Sequence, residues 1–341
     1  MALHGITAQH PPTESFTLEV SMLIQTKGLK KTFTTRGKSV EAVRGVDLSV
    51  KEGEIFGLLG TNGAGKTTTL RMLATLIEPS AGEATVCGHD LLAAPAKVRQ
   101  SIGYVGQAGG TWGEVSARAE LVHQGRLYGM RKKDAAQRAG EVLQAFQLAD
   151  FADRPSKTYS GGQRRRLDIA LGIMHEPQLL FLDEPTTGLD PQSRAHMWEE
   201  VRRLRDWGTS VVLTTHYLDE ADALCDRLVI VDEGAVVIEG TPAQLKQEVS
   251  GDLVLIGVNG DAPRAEELLR QRSFVREIES SEPDPAGIVT LRLYVDEGGS
   301  AVPLLLRELD AADISPISIE LHRPSLDDVF LKQTGRSLRD E

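Results

Sequence analysis

The stretch Gly60-Thr61-Asn62-Gly63-Ala64-Gly65-Lys66-Thr67 decides the fold. It fits the pattern Gly-x4-Gly-Lys-Ser/Thr. It follows an apolar run, Ile55-Phe56-Gly57-Leu58-Leu59, that reads as a buried strand, and it leads into a helical pattern over residues 68–76. The order has a physical basis. Glycines let backbone N–H groups turn inward around phosphate oxygens. The following helix adds the partial positive charge of its N-terminus. Asn62, Gly63, Ala64, Gly65, Lys66, Thr67 and Thr68 therefore form a candidate nucleotide-binding loop. Lys66 supplies a compact cation for β- and γ-phosphates, and Thr67 offers a hydroxyl to Mg²⁺.

Outward from this loop the same grammar repeats. Leu179-Leu180-Phe181-Leu182, Ser210-Val211-Val212-Leu213-Thr214 and Leu228-Val229-Ile230-Val231 read as further strands. Continuous rather than alternating apolar runs suit a sheet covered on both faces. Helical stretches between them point to a parallel α/β core. Residues 110–172 carry no strong strand signal, and their segments 118–127, 134–147 and 162–174 predict a helical insertion. The strand at 179–182 runs into Asp183-Glu184-Pro185. Asp183 is placed to hold magnesium, directly or through water, and Glu184 to take a proton from an attacking water. By itself this pair is equally consistent with an acidic strand end that has no role.

Between the two motifs lies Tyr159-Ser160-Gly161-Gly162-Gln163, which resembles the LSGGQ signature of ABC-type ATPases, with Tyr159 where Leu is usual. Gln107 resembles that family's Q-loop glutamine, Gly188-Leu189-Asp190 its D-loop, His216 its switch histidine, and Phe33 the aromatic that stacks on adenine. The resemblance spans residues 23–245. It implies a P-loop ABC-type ATPase core that works as a dimer with two ATP molecules at the interface. Ser160 and the Gly162 backbone would donate to the γ-phosphate held by a second copy, and Asp190 would couple the sites. Glu184 would act as base, His216 would contact the γ-phosphate, and Gln107 would report Mg²⁺ and γ-phosphate to the helical insertion. The family's insertion docks a coupling helix of a membrane subunit. A narrower resemblance rests on Arg164-Arg165-Arg166-Leu167-Asp168 after the signature and on Arg323-Pro324-Ser325-Leu326-Asp327-Asp328-Val329-Phe330-Leu331 near the end. Both are similar to the daunorubicin-resistance-type ATPases, exporters with separate membrane subunits. Gln163 departs from the Met often found there. The resemblance implies efflux of a drug, antibiotic or lipid-like compound, and it fixes no cargo.

The bulk numbers agree with a soluble subunit. The 341 residues are 40% hydrophobic and 26% charged, enough for two domains. The net charge is -11, and residues 251–341 hold 10 Lys and Arg against 18 Asp and Glu. That balance argues against nucleic acid as a partner, since phosphate-gripping proteins present a basic face. It disfavours the alternative of a soluble ABC ATPase acting on nucleic acid or ribosomes, as do the single phosphate loop and the lack of a heptad tract. No apolar run approaches the ~20 residues that span a bilayer, so a transporter pore would belong to another chain. The protein is expected to sit peripherally on the cytoplasmic side of the cell membrane. Residues 1–21 read as an extended or disordered arm without the pattern of a secretory signal. Cys87 and Cys225 show no metal or redox spacing and are expected to be reduced thiols.

The ATPase domain is expected over 22–250 and an accessory domain over 251–341. In the latter, strands at 253–258, 274–278, 288–295 and 314–321 and helices at 262–271 and 300–311 give the β-α-β-β-α-β order of a ferredoxin-like unit. A last helix over 325–332 starts with Ser325 as a candidate cap and Asp327 and Asp328 in its first turn. This domain reads as a dimer contact or brace, with a small-molecule regulatory site as the alternative. Arg164, Arg165 and Arg166 read as a solvated helix face with structural ion pairs, with a salt bridge to the partner subunit as the alternative, and Arg131-Lys132-Lys133 as a solvated turn. Trp112 reads as a packing residue, with a membrane-subunit contact as the alternative. Trp198 and Trp207 read as helical packing residues.

Overall fold

A computed structural model describes residues 21–35, 37–248, 251–283 and 287–335. The expected N-terminal arm lies outside these residues, Ser21 apart. The central sheet has six strands in the order Ala235–Gly240, Arg227–Asp232, Ile55–Leu59, Ser210–Thr215, Leu179–Asp183 and Ile102–Val105. All neighbours run parallel except the Arg227–Asp232 and Ala235–Gly240 hairpin. Ile55–Leu59, Leu179–Asp183 and Ser210–Thr215 are buried along their whole length, which is why they read as unbroken apolar runs. Register pairs Leu59 with Thr215 and Asp183 with Thr214. The carboxyl ends of three central strands therefore finish level and release Gly60, Glu184 and His216 at one edge. In open α/β sheets ligands bind at that edge.

A second, antiparallel sheet is built from Met22–Thr35, Lys38–Val46, Ser49–Lys51, Ala81–Val86 and His89–Asp90. Its strands are polar and half-exposed, so no apolar run marked them. The helical insertion carries Ala117–Leu127, Lys132–Ala145 and Gly161–Gly172. The helix after the phosphate loop is Lys66–Leu73 rather than 68–76. It starts directly after Gly65, whose φ of 100° only glycine adopts freely. Past its end Thr75 lies in the left-handed region (φ 60°).

The third sheet, Val275–Ser280, Ile288–Val295, Asp252–Asn259 and Ser318–His322, is antiparallel. Helices Ala262–Arg270 and Gly298–Ala311 share its core. This is the expected β-α-β-β-α-β order. The last strand starts at Ser318 instead of 314, because Pro316 has no N–H to give to the ladder. Ile314 is still buried. The final helix, Leu326–Thr334, is capped by Ser325 through a reciprocal box with Asp328. Its Leu326, Val329 and Phe330 are buried in the same hydrophobic core as Ile55, Leu180 and Leu213 of the six-stranded sheet. There the helix packs on Leu218–Leu224, Pro242–Gln247 and Ala235–Gly240. Among the described residues no helix is long and apolar enough to cross a membrane. Both thiols are free, and burial pushes Cys87 up to about 11.

Candidate active site

The phosphate loop wraps a cleft of about 200 Å³ lined by Ala42, Gln107, Glu184 and the run from Asn62 to Thr68. The loop is tight against the antiparallel sheet. A Cβ on Gly65 would lie 2.4 Å from the Ala42 carbonyl oxygen. Lys66 is 4% exposed and donates to the carbonyls of Gly60 (2.7 Å) and Thr61 (2.8 Å). Thr67 Oγ1 donates to Asp183 Oδ1 at 2.7 Å, and Thr214 Oγ1 donates to the same oxygen at 2.8 Å. The Tyr104 hydroxyl reaches Asp183 Oδ2 at 3.4 Å. Asp183 itself is fully buried.

Glu184 is the centre of the arrangement. Its Oε2 accepts from Gln107 Nε2 (2.9 Å) and Thr187 Oγ1 (3.1 Å). Its Oε1 lies 3.4 Å from His216 Nδ1 and 3.9 Å from Lys66 Nζ. At 3.4 Å the imidazole lies against the carboxylate, though Nδ1 makes no hydrogen bond of good geometry. His216 first, then Lys66 and Thr187, hold the Glu184 carboxyl below its ordinary value against the opposing effect of burial. A buried carboxylate kept ionised beside an open cleft is equipped to accept a proton. Glu184 also sits at φ 46°, a left-handed conformation uncommon outside glycine. Its N–H is tied to Thr214 Oγ1 at 3.0 Å.

Lys66, Thr67, Asp183, Glu184, Gln107 and His216 are thus brought together by the ends of three strands and two loops. Ser160, Gly162 and Asp190 form a separate group. Ser160 caps the helix Gly161–Gly172 in a reciprocal box with Gln163 and is exposed. Asp190 caps Pro191–Asp206 and accepts from Ser193 N (2.9 Å) and Oγ (2.6 Å), which lowers its carboxyl. Ser193 adjoins Gly162, where a Cβ would lie 3.1 Å from its hydroxyl. Ser160, Gly162 and Ser193 line a cleft of about 150 Å³ that none of the phosphate-loop residues reaches. Phe33 is 41% exposed on the strand Met22–Thr35, with Lys31 Nζ 5.2 Å from its ring centre, and does not line the nucleotide cleft.

Several expectations need correction. Arg165 is not on a solvated face. It is 8% exposed and donates to four carbonyls: Pro185 (2.8 Å), Gly106 (2.7 Å), Asp183 (3.0 Å) and Glu184 (3.2 Å). Arg164 is exposed, and Arg166 is half-buried with bonds to the Phe146 carbonyl (3.2 Å) and Gln147 Oε1 (3.5 Å). Helical spacing carried no signal for this, because Arg165 shares its face with Asp168, Ile169 and Gly172, whereas Arg166 shares its face with the more apolar Ile169, Ala170 and Ile173; yet 165, 168, 169 and 172 are all buried. Asp168, on that face, accepts from Gly110 N at 2.8 Å. Trp112 is 61% exposed with its ring against His123, so it is not a core residue. Trp207, though 52% exposed, does pack, edge-on against the buried Phe146 with ring centres 6.2 Å apart. Thr187, Thr214 and Tyr104 also join the site, and nothing in their local sequence singled them out.

Fold and site together define a P-loop nucleoside-triphosphatase. The family model "ABC transporter" matches residues 43–187, and "ATP-binding protein DrrA1-3-like, C-terminal domain" matches residues 240–334. The chain is 43% identical over 319 residues to the daunorubicin/doxorubicin resistance ATP-binding protein DrrA of Streptomyces peucetius, covering 93% of this chain and 94% of that one. It is 36% identical to the linearmycin resistance ATP-binding protein LnrL of Bacillus subtilis (93% and 100% covered). To the Nod factor export ATP-binding protein I of Burkholderia orbicola it is 38% identical (87% and 93% covered). Among solved structures it resembles the ATP-binding cassette MJ0796, a dimer bound to ADP and Pi in a post-hydrolysis state. There the TM-score is 0.59 at 26% identity, over 64% of this chain and 98% of that one. The chain belongs to the ABC transporter family of ATP-binding, ATP-hydrolysing subunits, with a DrrA-like C-terminal domain.

Proposed function

We propose that this protein powers export of a drug, antibiotic or lipid-like compound through a separate membrane permease, working as a homodimer peripheral to the cytoplasmic face of the cell membrane. The ATPase domain occupies residues 22–250 and the accessory domain 251–341. The observation that carries the dimer is the split of the site. Glu184 and the phosphate loop share one cleft, while Ser160, Gly162 and Asp190 sit at exposed helix N-termini, apart from that cleft. Helix N-termini attract anions, so this second group is suited to the γ-phosphate bound by a second copy. Relatives named for antibiotic resistance and for Nod factor export support the export reading, and none of these three is named for action on nucleic acid.

Magnesium fits the donor set. Thr67 and Asp183 present converging oxygens 2.7 Å apart, and with Gln107 they would hold the ion. When bound it would neutralise charge on the phosphates. Lys66 turns from the Gly60 and Thr61 carbonyls to the β- and γ-phosphates of ATP. Glu184 accepts the proton of the water that attacks the γ-phosphate in line. His216 and Gln107 hold the carboxylate in place from opposite oxygens. Phe33 stacks on adenine. ATP favours the closed dimer, and product release reopens it. The accessory domain braces the ATPase core. Support comes from Phe330, fully buried in that core beside the helix that follows His216.

The test is ATP hydrolysis by membranes containing this chain, with and without the membrane protein encoded beside it, across candidate compounds. Turnover should rise with the membrane protein and change again with one compound class. Turnover indifferent to both would remove the transport reading.

A further inference from the structure

Arg165 stands out among the buried groups that the proposed mechanism leaves unused. Its guanidinium is taken out of water with no carboxylate within 4 Å among the described residues, and burial lowers its pKa. It donates to main-chain carbonyls instead. Three of them, Asp183, Glu184 and Pro185, are consecutive and include the residue held at φ 46°. The fourth, Gly106, immediately precedes Gln107. Gln107 and Glu184 meet through their side chains at 2.9 Å. One side chain therefore grips the backbone at both ends of that contact.

Asp168 completes the grip one turn further along the same helix. Its carboxylate takes the N–H of Gly110, so the two side chains bracket Gln107 from either flank. The approach is close enough that a Cβ on Gly109 (φ +75°) would lie 2.7 Å from Asp168 Oδ2. The bracket sits on the helix whose first turn carries Gly162 and whose cap is Ser160.

We propose that Arg165, assisted by Asp168, is a positioning residue. It fixes the strained Glu184 backbone and the Gln107 loop to the signature helix, so that a shift of that helix moves the water-activating carboxylate of its own chain. This rests on the base role assigned to Glu184. The planar five-donor fork suits a cluster of carbonyls set by backbone geometry, and a lysine cannot reproduce it.

A cycle in the full-length protein separates this from a merely structural role. Arg165→Met, Arg165→Lys, Glu184→Gln and the two double variants are compared in single-turnover ATP hydrolysis and in equilibrium binding of a fluorescent ATP analogue. Arg165→Met should lower the hydrolysis rate about 10- to 100-fold, the scale of lost charged hydrogen bonds. ATP affinity should change by less than about threefold, since Arg165 touches no residue of the phosphate loop. Arg165→Lys should be affected less, and it carries the cycle if the methionine variant fails to fold. In the Glu184→Gln background either change should leave the residual rate as it is, because the group being positioned has lost its function. A further drop of similar size in that background overturns the positioning role while leaving the Glu184 assignment standing, and so does a parallel loss of ATP affinity. Wild-type turnover in Glu184→Gln alone overturns the base assignment itself, and the positioning role with it.

Discussion

Glu184→Gln keeps the size of the side chain and removes its charge, and the surroundings of Glu184 set the outcome. Oε2 is met by two donors, Gln107 Nε2 and Thr187 Oγ1, while Oε1 faces Lys66 and His216. An amide oxygen turned toward Gln107 and Thr187 preserves both hydrogen bonds, so the loops stay where they are. Its NH₂ then replaces the carboxylate oxygen nearest Lys66, whose own bonds to the Gly60 and Thr61 carbonyls are untouched. ATP binding should therefore persist. What disappears is the proton acceptor, a loss of about 10²–10⁴ in rate, or about 2.7–5.4 kcal/mol of barrier at 1.36 kcal/mol per decade. Single-turnover hydrolysis measures the rate, equilibrium binding measures the affinity, and size-exclusion chromatography with ATP should reveal accumulating dimer. His216 and Lys66 hold the wild-type carboxyl below its ordinary value of 4.5. The group therefore remains an acceptor until the pH drops beneath that value. A variant hydrolysing within a few-fold of wild type would refute the reasoning. Equal losses in rate and affinity would recast Glu184 as a partner for Lys66 rather than a base.

Phe330→Ala should cost about 3–5 kcal/mol in urea denaturation, while Leu331→Ala, at a site 48% exposed, should stay within about 0.5 kcal/mol; equal effects would detach the last helix from the ATPase core. Phe33→Ala should weaken ATP binding about 5- to 150-fold, the scale of 1–3 kcal/mol for a lost stacking contact, and unchanged affinity would remove Phe33 from the adenine site. Glu220 is fully buried, and burial raises its carboxyl despite the neighbouring Thr215, Thr186 and Trp198 donors and Arg194. A raised folded-state value means stability present below the unfolded value and lost as pH climbs through the folded one. The melting temperature should thus fall as pH rises above 4.5, and Glu220→Gln should flatten part of that slope, with Asp168 and Glu200, also raised by burial, supplying the rest. Identical slopes would show that Glu220 does not contribute.

What the sequence made legible is what the chain determines locally. The phosphate loop is one continuous run whose glycines, strand and helix follow in fixed order, and Asp183-Glu184 lies at the end of a strand buried on both faces. Both were readable because the periodicity and the chemistry coincide. The C-terminal element order was readable for the same reason; the largest boundary shift is at Pro316, and the other elements moved by at most two residues at their ends. The antiparallel sheet was not, because Met22–Thr35 and Lys38–Val46 are polar and half-exposed, and their pairing is decided by partners elsewhere in the chain.

Arg165 marks the limit more sharply. Three consecutive arginines are chemically identical, and only their partners in the fold separate the buried one from its neighbours. Phase does not select position 165, whose face carries Asp168, Ile169 and Gly172, and the four carbonyls that accept from it carry no side-chain signature at all. They are exposed to a guanidinium only because Glu184 takes a left-handed turn and Gly106 ends the strand Ile102–Val105 beside it. A site whose ligands are main-chain oxygens is created by the fold rather than by residue type. The residues that hold catalytic groups in place are therefore harder to read from sequence than the catalytic groups themselves. In this protein the two kinds are adjacent: the same turn that delivers the Glu184 carboxylate to the cleft delivers its carbonyl to Arg165.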